Sequence, residues 1–165
     1  MQGGETFIVP EIQVQKATGR IMSLQDPLKK MSKSDENLNG AIFLLDSAED
    51  VQEKIKRAVT DSDSQIRYSP EDKPAISNLL SIFSSVTDFS IEEIERKYNG
   101  VGYGQFKAEL TEAVVEFLVP FQQRFKELQN DSTQLDAILH DGVEYAKSIS
   151  SPMLKNVIQS VGLGR

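Results

Sequence analysis

Apolar residues recur every three or four positions through most of the chain after residue 47, which predicts a series of amphipathic helices. We expect these helices over about residues 48–59, 74–86, 91–98, 106–128, 135–149 and 152–161. The longest apolar stripe consists of Phe106, Leu110, Val114, Phe117, Phe121, Phe125 and Leu128. We expect its phenylalanines to face the core rather than to form a platform for stacking bases.

The predicted helix ends carry sequence signals. A serine followed three positions later by an acidic residue predicts a capping box at the start of two helices. These pairs are Ser47 with Asp50 and Ser90 with Glu93. Pro74 suits the first turn of a helix, and Pro152 is expected to open a separate last helix. Pro120 lies inside the longest stripe, where we expect a kink.

The first part of the chain lacks helical periodicity. Apolar runs at 7–9 and 20–24 indicate extended segments, and residues 66–68 indicate a further short strand. Two short strands cannot bury a core, so the N-terminal part is expected to be the end of a larger parallel sheet. The sequence thus predicts a mainly α fold, a helical bundle preceded by a short α/β remnant, with domains over 1–38 and 39–165.

Composition and charge exclude several classes of function. A formal net charge of −7 argues against a generally basic nucleic-acid binder, and the absence of cysteine removes thiol chemistry. His140 is the only histidine, and the paired carboxylates have no histidine or cysteine beside them, so no metal site is expected. No apolar run reaches membrane-spanning length, and the absence of cysteine fits a cytoplasmic protein without a membrane partner.

A short basic segment, Lys30-Met31-Ser32-Lys33-Ser34, follows a turn signal at Asp26-Pro27. Lysine ammonium groups, serine hydroxyls and free backbone N–H groups can together wrap a polyphosphate. On charge alone, an ordinary solvated turn is the favoured interpretation, because short lysine clusters are common.

The string itself changes this balance, because it is the second signature of class I aminoacyl-tRNA synthetases, without a departure. Its surroundings resemble bacterial tryptophanyl-tRNA synthetases over residues 4–10, 19–27, 58–62, 76–80, 102–107 and 162–165. The resemblance therefore runs from near residue 4 to the C-terminus, and it implies that residues 1–38 are the last piece of a Rossmann-like nucleotide-binding domain.

Carried over by position, the resemblance assigns Lys30 and Lys33 to the phosphates of ATP as catalytic groups, and Ile21 to the adenine. The other ATP-binding residues implied in this way are Met31, Ser32 and Ser34. The physical role of such a loop is electrostatic stabilisation of the transferring phosphates by groups that close on the nucleotide. ATP is then a substrate, with Mg²⁺ in the parent enzyme and no metal site in this chain.

Four cations are candidates for contact with tRNA: Lys54, Arg57, Arg67 and Lys107. Lys54 and Arg57 are expected on the outer face of the first helix, beside Lys56 and Glu53. Each candidate has an ordinary interpretation as a solvated or structural residue, which the sequence favours, and a functional one through phosphate contact.

The resemblance implies an enzyme that activates tryptophan with ATP to tryptophanyl-adenylate and transfers it to tRNA(Trp), as a cytoplasmic homodimer. This chain corresponds to the C-terminal half, with the ATP loop and the helical tRNA-binding region. It lacks a His-x-Gly-His signature and the tryptophan pocket, so we expect it to be inactive alone. Two alternatives remain open: a relative of tyrosyl-tRNA synthetases, and a non-catalytic helical module that binds RNA or protein.

Overall fold

The computed structural model describes Phe7, residues 9–13 and residues 20–163. In these residues five α-helices follow a 3-10 turn at Leu38–Gly40. The helices are α1 (Ala48–Arg57), α2 (Pro74–Val86), α3 (Ile91–Lys97), α4 (Tyr103–Asn130) and α5 (Ser132–Ser160). The mainly helical fold is therefore confirmed, and none of these helices is both long and apolar enough to cross a bilayer.

The described residues form no β-strand, and their β-pairing is limited to an isolated antiparallel bridge between Met22 and Lys30. The strand expected at residues 66–68 is wrong: the backbone N–H of Tyr68 donates to the Glu95 carboxylate instead of to a neighbouring strand. The apolar run at 7–9 lies partly outside the described residues.

The chain divides into two compact units. One comprises Met1–Gln13 with Arg124–Arg165, and the other comprises Val14–Gln123. The boundary predicted between residues 38 and 39 falls inside the second unit. As a boundary between the domains of a longer protein, it stays a prediction.

The second unit has a continuous hydrophobic core formed by α1, α2, α3 and the first part of α4. Its least exposed side chains are Val51, Ile55, Ile76, Leu79, Leu80, Ile94, Tyr98, Phe106 and Leu110. Phe83, Tyr98 and Phe106 form an aromatic cluster with ring centroids 5.2 to 5.8 Å apart, two of the pairs tilted and one edge-to-face. This core supports the segments that carry the candidate site.

Both predicted capping boxes are present. Ser47 accepts from the backbone N–H of Asp50, whose carboxylate accepts from the N–H of Ser47, and this exchange fixes the start of α1. Ser90 and Glu93 do the same for α3. In both acidic residues, hydrogen bonds from the cap serine lower the pKa of the carboxyl group.

Lys54 does not lie on the outer face of α1, so that prediction is wrong. The residue is 8% exposed, its ammonium binds the Asp46 carboxylate at 2.6 Å, and it lies 4.5 Å from the centroid of Phe43. A lysine can be buried in this way because its charge is paired and its stem packs against apolar groups.

After Val114, the buried residues of α4 are not those that the sequence pattern predicted. Leu118, four residues further on, is buried, whereas Phe117 is 53% exposed. Phe121 and Phe125 are also exposed, so the prediction that these three phenylalanines are core residues is wrong. The helix continues through Pro120, as the long periodic segment predicted.

The predicted break before Pro152 is also wrong, because α5 is a single helix from Ser132 to Ser160 with Pro152 inside it. Proline removes the hydrogen bond to the carbonyl four residues earlier, here that of Ser148. Both positions are exposed, so water can replace the missing donor. The N-cap is Asp131, whose carboxylate accepts from the N–H of Gln134 at 2.9 Å.

Candidate functional site

The residues before the Lys-Met-Ser-Lys-Ser string form a short hairpin-like turn. Met22 pairs with Lys30, the N–H of Ser23 donates to the carbonyl of Lys29 at 2.8 Å, and the N–H of Met31 donates to the carbonyl of Ile21 at 3.0 Å. These three contacts bring the candidate adenine residue Ile21 next to the first residues of the lysine loop.

Asp26 closes the tip of this turn. Its carboxylate accepts from the N–H of Leu28 at 3.1 Å, and its carbonyl accepts from the N–H of Lys29 at 3.0 Å. An aspartate at the start of a turn, followed by Pro27, favours this conformation because the side chain replaces a missing backbone partner. The ammonium of Lys29 also lies 3.5 Å from the Asp26 carboxylate.

The base of the turn is attached to the core of the second unit at two places. The side-chain amide of Asn78 on α2 makes two hydrogen bonds to the backbone of Met22, each 2.8 Å long. The N–H of Leu24 donates to the carbonyl of Gly40, and the carbonyl of Leu24 accepts from the N–H of Val59. The half-buried side chains of Ile21 and Met31 pack against the same core.

The loop beyond Met31 is held by its own serines. The hydroxyls of Ser32 and Ser34 lie 3.0 Å apart, and the N–H of Ser34 donates to the Ser32 hydroxyl at 3.3 Å. Lys30 and Lys33 are exposed, and neither forms a salt bridge with another residue in the described part of the chain. These two ammonium groups are therefore available to an anion, unlike Lys29.

The four candidate tRNA contacts have partners within the chain. Lys54 is buried against Asp46, and Arg57 pairs with Glu53 at 2.6 Å. Arg67 lies 3.9 Å from Asp72, with both side chains exposed. The ammonium of Lys107 donates to the carbonyls of Lys56 and Ala58, at 3.2 and 2.6 Å, and so satisfies the C-terminal end of α1. Burial lowers the pKa of Lys107.

A buried ion cluster that the sequence did not indicate lies before α2. Lys73 is 3% exposed and its ammonium contacts the carboxylates of Asp61 and Asp63. The hydroxyl of Tyr103 also donates to Asp61, at 2.6 Å. Burial opposes the charge of Lys73, but hydrogen bonds to Asp63, Tyr103 and Asp61 outweigh it and raise the pKa of the lysine. The same lysine lowers the pKa of Asp63 to about 2.

Burial raises the pKa of Tyr103 to about 12, with a further contribution from Asp61. This cluster connects the segment before α2 to α4. Its lysine is already bound by two carboxylates, so the cluster does not offer a second anion site. Nothing in the local spacing marks Lys73, because its carboxylate partners lie ten or more residues away.

A cleft of about 330 Å³ lies between the turn and the N-terminal part of α2. Its lining includes Arg20, Met22, Leu28, Tyr68 and Asn78. The described residues contain no group of three histidine, cysteine, aspartate or glutamate side chains that could hold a metal ion.

Comparison with known proteins gives a consistent result. The family model for tRNA synthetases class I (W and Y) matches residues 3–119. The chain is 48% identical over 161 residues to the tryptophan–tRNA ligase of Bacillus subtilis (strain 168). It is 50% identical over the same length to that of Listeria monocytogenes serovar 1/2a. Both matches include 98% of this chain but only 48% of the relative, so the chain spans about half the length of these proteins.

A solved structure of tryptophanyl-tRNA synthetase from Mycoplasma pneumoniae is similar to this fold, with a TM-score of 0.84 and 33% sequence identity. The similarity covers 91% of this chain and 45% of that one. The family match lies over the hairpin-like turn, the lysine loop and the core that supports them. The chain belongs to the class I tRNA synthetases of the tryptophan and tyrosine type.

Proposed function

We propose that this chain supplies the ATP-phosphate loop and the tRNA-positioning helices of a tryptophan–tRNA ligase. The observation that carries the proposal is the uninterrupted Lys-Met-Ser-Lys-Ser string with Lys30 and Lys33 exposed and unpaired among the described residues, on a turn attached to the core. Tryptophan is favoured over tyrosine because the curated relatives at 47–50% identity are named tryptophan–tRNA ligases.

In the whole enzyme, ATP and tryptophan would form tryptophanyl-adenylate and pyrophosphate, and the tryptophanyl group would pass to tRNA(Trp). Lys30 and Lys33 would stabilise the negative charge on the phosphates in the transition state, together with the Mg²⁺ that accompanies ATP. Met31 and Ser32 would offer backbone and hydroxyl contacts, Ser34 would complete the loop, and Ile21 would lie against the adenine. Residues 1–38 would be the last piece of the nucleotide-binding domain, and residues 39–165 the helical region.

The candidate tRNA contacts fall into two groups. Arg57 and Arg67 are exposed, so a phosphate can exchange with their weak surface partners. Lys54 and Lys107 already stabilise α1. Lys54 pairs with Asp46, and Lys107 donates to the carbonyl of Ala58 at the end of the helix. We therefore propose Arg57 and Arg67 as tRNA contacts in preference to Lys54 and Lys107. The family also implies a cytoplasmic homodimer for the complete protein.

The proposal is tested by tryptophan-dependent exchange of pyrophosphate into ATP. We expect no turnover by this chain alone, and turnover when it is joined to the other half of a tryptophan–tRNA ligase. In the joined protein, Lys33→Ala should lower kcat by about 100-fold, because one preorganised charge at the transferring phosphates is lost.

Lys29→Ala is the matched control, because Lys29 is one residue from Lys30 but already lies against Asp26. It should change kcat by less than about threefold, since an exposed ion pair contributes little. Equal effects of Lys29→Ala and Lys33→Ala would show general charge attraction and contradict the assigned role.

A further inference from the structure

We propose that Asn78 is a positioning residue for the ATP loop, and that it acts by fixing the backbone of Met22. The inference rests on the proposed function of the loop for its catalytic meaning. Its geometric part is independent of that function, because it concerns how α2 determines the position of residues 30 and 31.

The Asn78 amide binds both polar groups of one backbone residue. Its oxygen accepts from the N–H of Met22 at 2.8 Å, and its nitrogen donates to the carbonyl of Met22 at 2.8 Å. A primary amide has one acceptor and one donor side by side, so it pairs with Met22 as a neighbouring strand would. The two residues are 56 positions apart, so the contact is made only by the tertiary fold.

The position of Met22 is passed to the loop by the next set of contacts. Met22 forms the antiparallel bridge with Lys30, and the adjacent carbonyl of Ile21 accepts from the N–H of Met31 at 3.0 Å. A shift of the segment that contains Met22 would therefore move Lys30, whose ammonium is one of the two proposed phosphate contacts. Asn78 on α2 therefore binds Met22, and Met22 in turn pairs with Lys30, the proposed phosphate contact.

The position of Asn78 on α2 makes it a rigid support. The residue is 6% exposed, and its helical neighbours Ile76, Leu79 and Leu80 are almost completely buried. Asparagine is a poor residue for a helix interior, because its side chain competes for backbone groups. Here the oxygen and the nitrogen of the Asn78 side chain both bind Met22, outside the helix. The asparagine therefore stabilises the turn rather than α2 itself.

The other end of the same segment offers an internal reference. Leu24, two residues after Met22, is attached through backbone bonds to Gly40 and Val59, which do not involve Asn78. A general loss of stability would affect both attachments. A positioning role for Asn78 predicts a selective effect at the loop.

The test is amide hydrogen exchange followed by NMR on this chain, with the wild type compared with Asn78→Ala and Asn78→Asp. We expect exchange at the N–H of Met31 to accelerate at least about fivefold relative to that of Val59 in Asn78→Ala, the size set by one lost hydrogen bond. Asn78→Asp keeps an acceptor for the N–H of Met22 but sets a second oxygen against the Met22 carbonyl, so it should accelerate exchange at Met31 at least as much as Asn78→Ala.

Ser81→Ala is the control, because Ser81 lies one turn further along α2 and its hydroxyl donates only within that helix, to the carbonyl of Ser77. It should leave the ratio of the two exchange rates unchanged. Equal acceleration at Met31 and Val59 in the Asn78 variants, or no acceleration at either, would overturn the inference.

ATP binding gives a second readout that separates this inference from the proposed function. Titration of the joined protein with ATP should shift the amide signals of residues 30–34, and in the same protein Asn78→Ala should raise the apparent Kd by about fivefold, whereas Ser81→Ala should not. Absence of any shift in the joined wild-type protein would contradict the proposed function, while the exchange ratio would still decide the role of Asn78. Wild-type binding that Asn78→Ala leaves unchanged would overturn the positioning role alone.

Discussion

At the scale of single residues, Gly40 and Ser23 show how closely the base of the loop is packed. A Cβ atom built on Gly40 would lie 2.5 Å from the Ser23 hydroxyl, which is closer than such atoms can approach. Ser23 is 4% exposed, and its hydroxyl accepts from the N–H of Gln25 at 3.3 Å. A larger residue at position 40 would therefore displace a buried polar group that already has a partner.

Gly40→Ala should destabilise the protein by about 1 kcal/mol, because the Ser23 hydroxyl must rotate away from Gln25. Urea unfolding followed by circular dichroism measures this change. The double variant Ser23→Ala/Gly40→Ala should recover part of the loss, since the colliding oxygen is gone. Gly104→Ala is the control, because no atom lies within 4 Å of its added Cβ. A loss from Gly40→Ala that Ser23→Ala leaves unchanged would contradict the packing argument.

At the scale of elements, α4 shows which neighbours fix the course of an apolar stripe. Steps of four residues lead from Phe106 through Leu110 and Val114 to Leu118, and all four are buried. Phe117 fits the sequence pattern equally well, since it lies three residues after Val114. The choice between Leu118 and Phe117 depends on the position of the other helices, which a periodic pattern does not contain.

Leu118→Ala should therefore cost about 2–4 kcal/mol in the free energy of unfolding, through lost burial and a residual cavity. Phe117→Ala should cost less than about 1 kcal/mol, although it removes the larger side chain, because Phe117 is already largely in water. Chemical denaturation of the two variants under the same conditions compares these costs. If Phe117→Ala lowered the free energy of unfolding as much as Leu118→Ala or more, Phe117 would belong to the core, as the sequence pattern predicted.

The features that the sequence predicted well are those with local causes. Both capping boxes depend on residues three positions apart, and Pro74 marks the start of α2 by its own geometry. The features that it missed depend on distant partners. The burial of Lys54 requires Asp46 and Phe43 in the folded chain. Residues 66–68 form no strand because no strand among the described residues is there to pair with them.

The candidate site divides in the same way. The loop residues could be identified from a contiguous string, because the string itself carries the resemblance. Asn78 could not, because its contact with Met22 joins segments 56 residues apart. The continuous α5 was missed because a proline in an exposed helix costs less when water can bind the freed carbonyl.

At the scale of the whole molecule, two ion clusters connect α4 to earlier parts of the second unit. In one, Lys73 holds Asp63 and Asp61, which also binds Tyr103 on α4. In the other, Glu109 on α4 accepts from the hydroxyl of Tyr98 and the ammonium of Lys97, the latter at 2.9 Å. These hydrogen bonds, first from Tyr98 and then from Lys97, lower the pKa of Glu109 to about 2.

These low pKa values predict a stability that depends on pH. The ordinary pKa values of the unfolded chain are about 3.9 for aspartate and 4.3 for glutamate. The pKa values of Asp63 and Glu109 in the folded protein are both about 2. Because the folded values are depressed, their contribution is complete above the unfolded values and is lost as the pH falls through about 4.5 to 2.

The double variant Asp63→Asn/Glu109→Gln isolates this contribution from the general effect of acid. At pH 7 it should be less stable than the wild type, because Lys73 and Lys97 lose charged partners. As the pH falls from 5 to 2, the difference in the free energy of unfolding should shrink, since the wild-type carboxylates become neutral as well. Urea unfolding at several pH values measures that difference.

Asp72→Asn is the control, because Asp72 is 71% exposed and lies 3.9 Å from Arg67. Its free energy of unfolding should stay close to that of the wild type at every pH. If the free energy of unfolding of the double variant changed with pH in parallel with that of the wild type, neither ion cluster would couple protonation to folding.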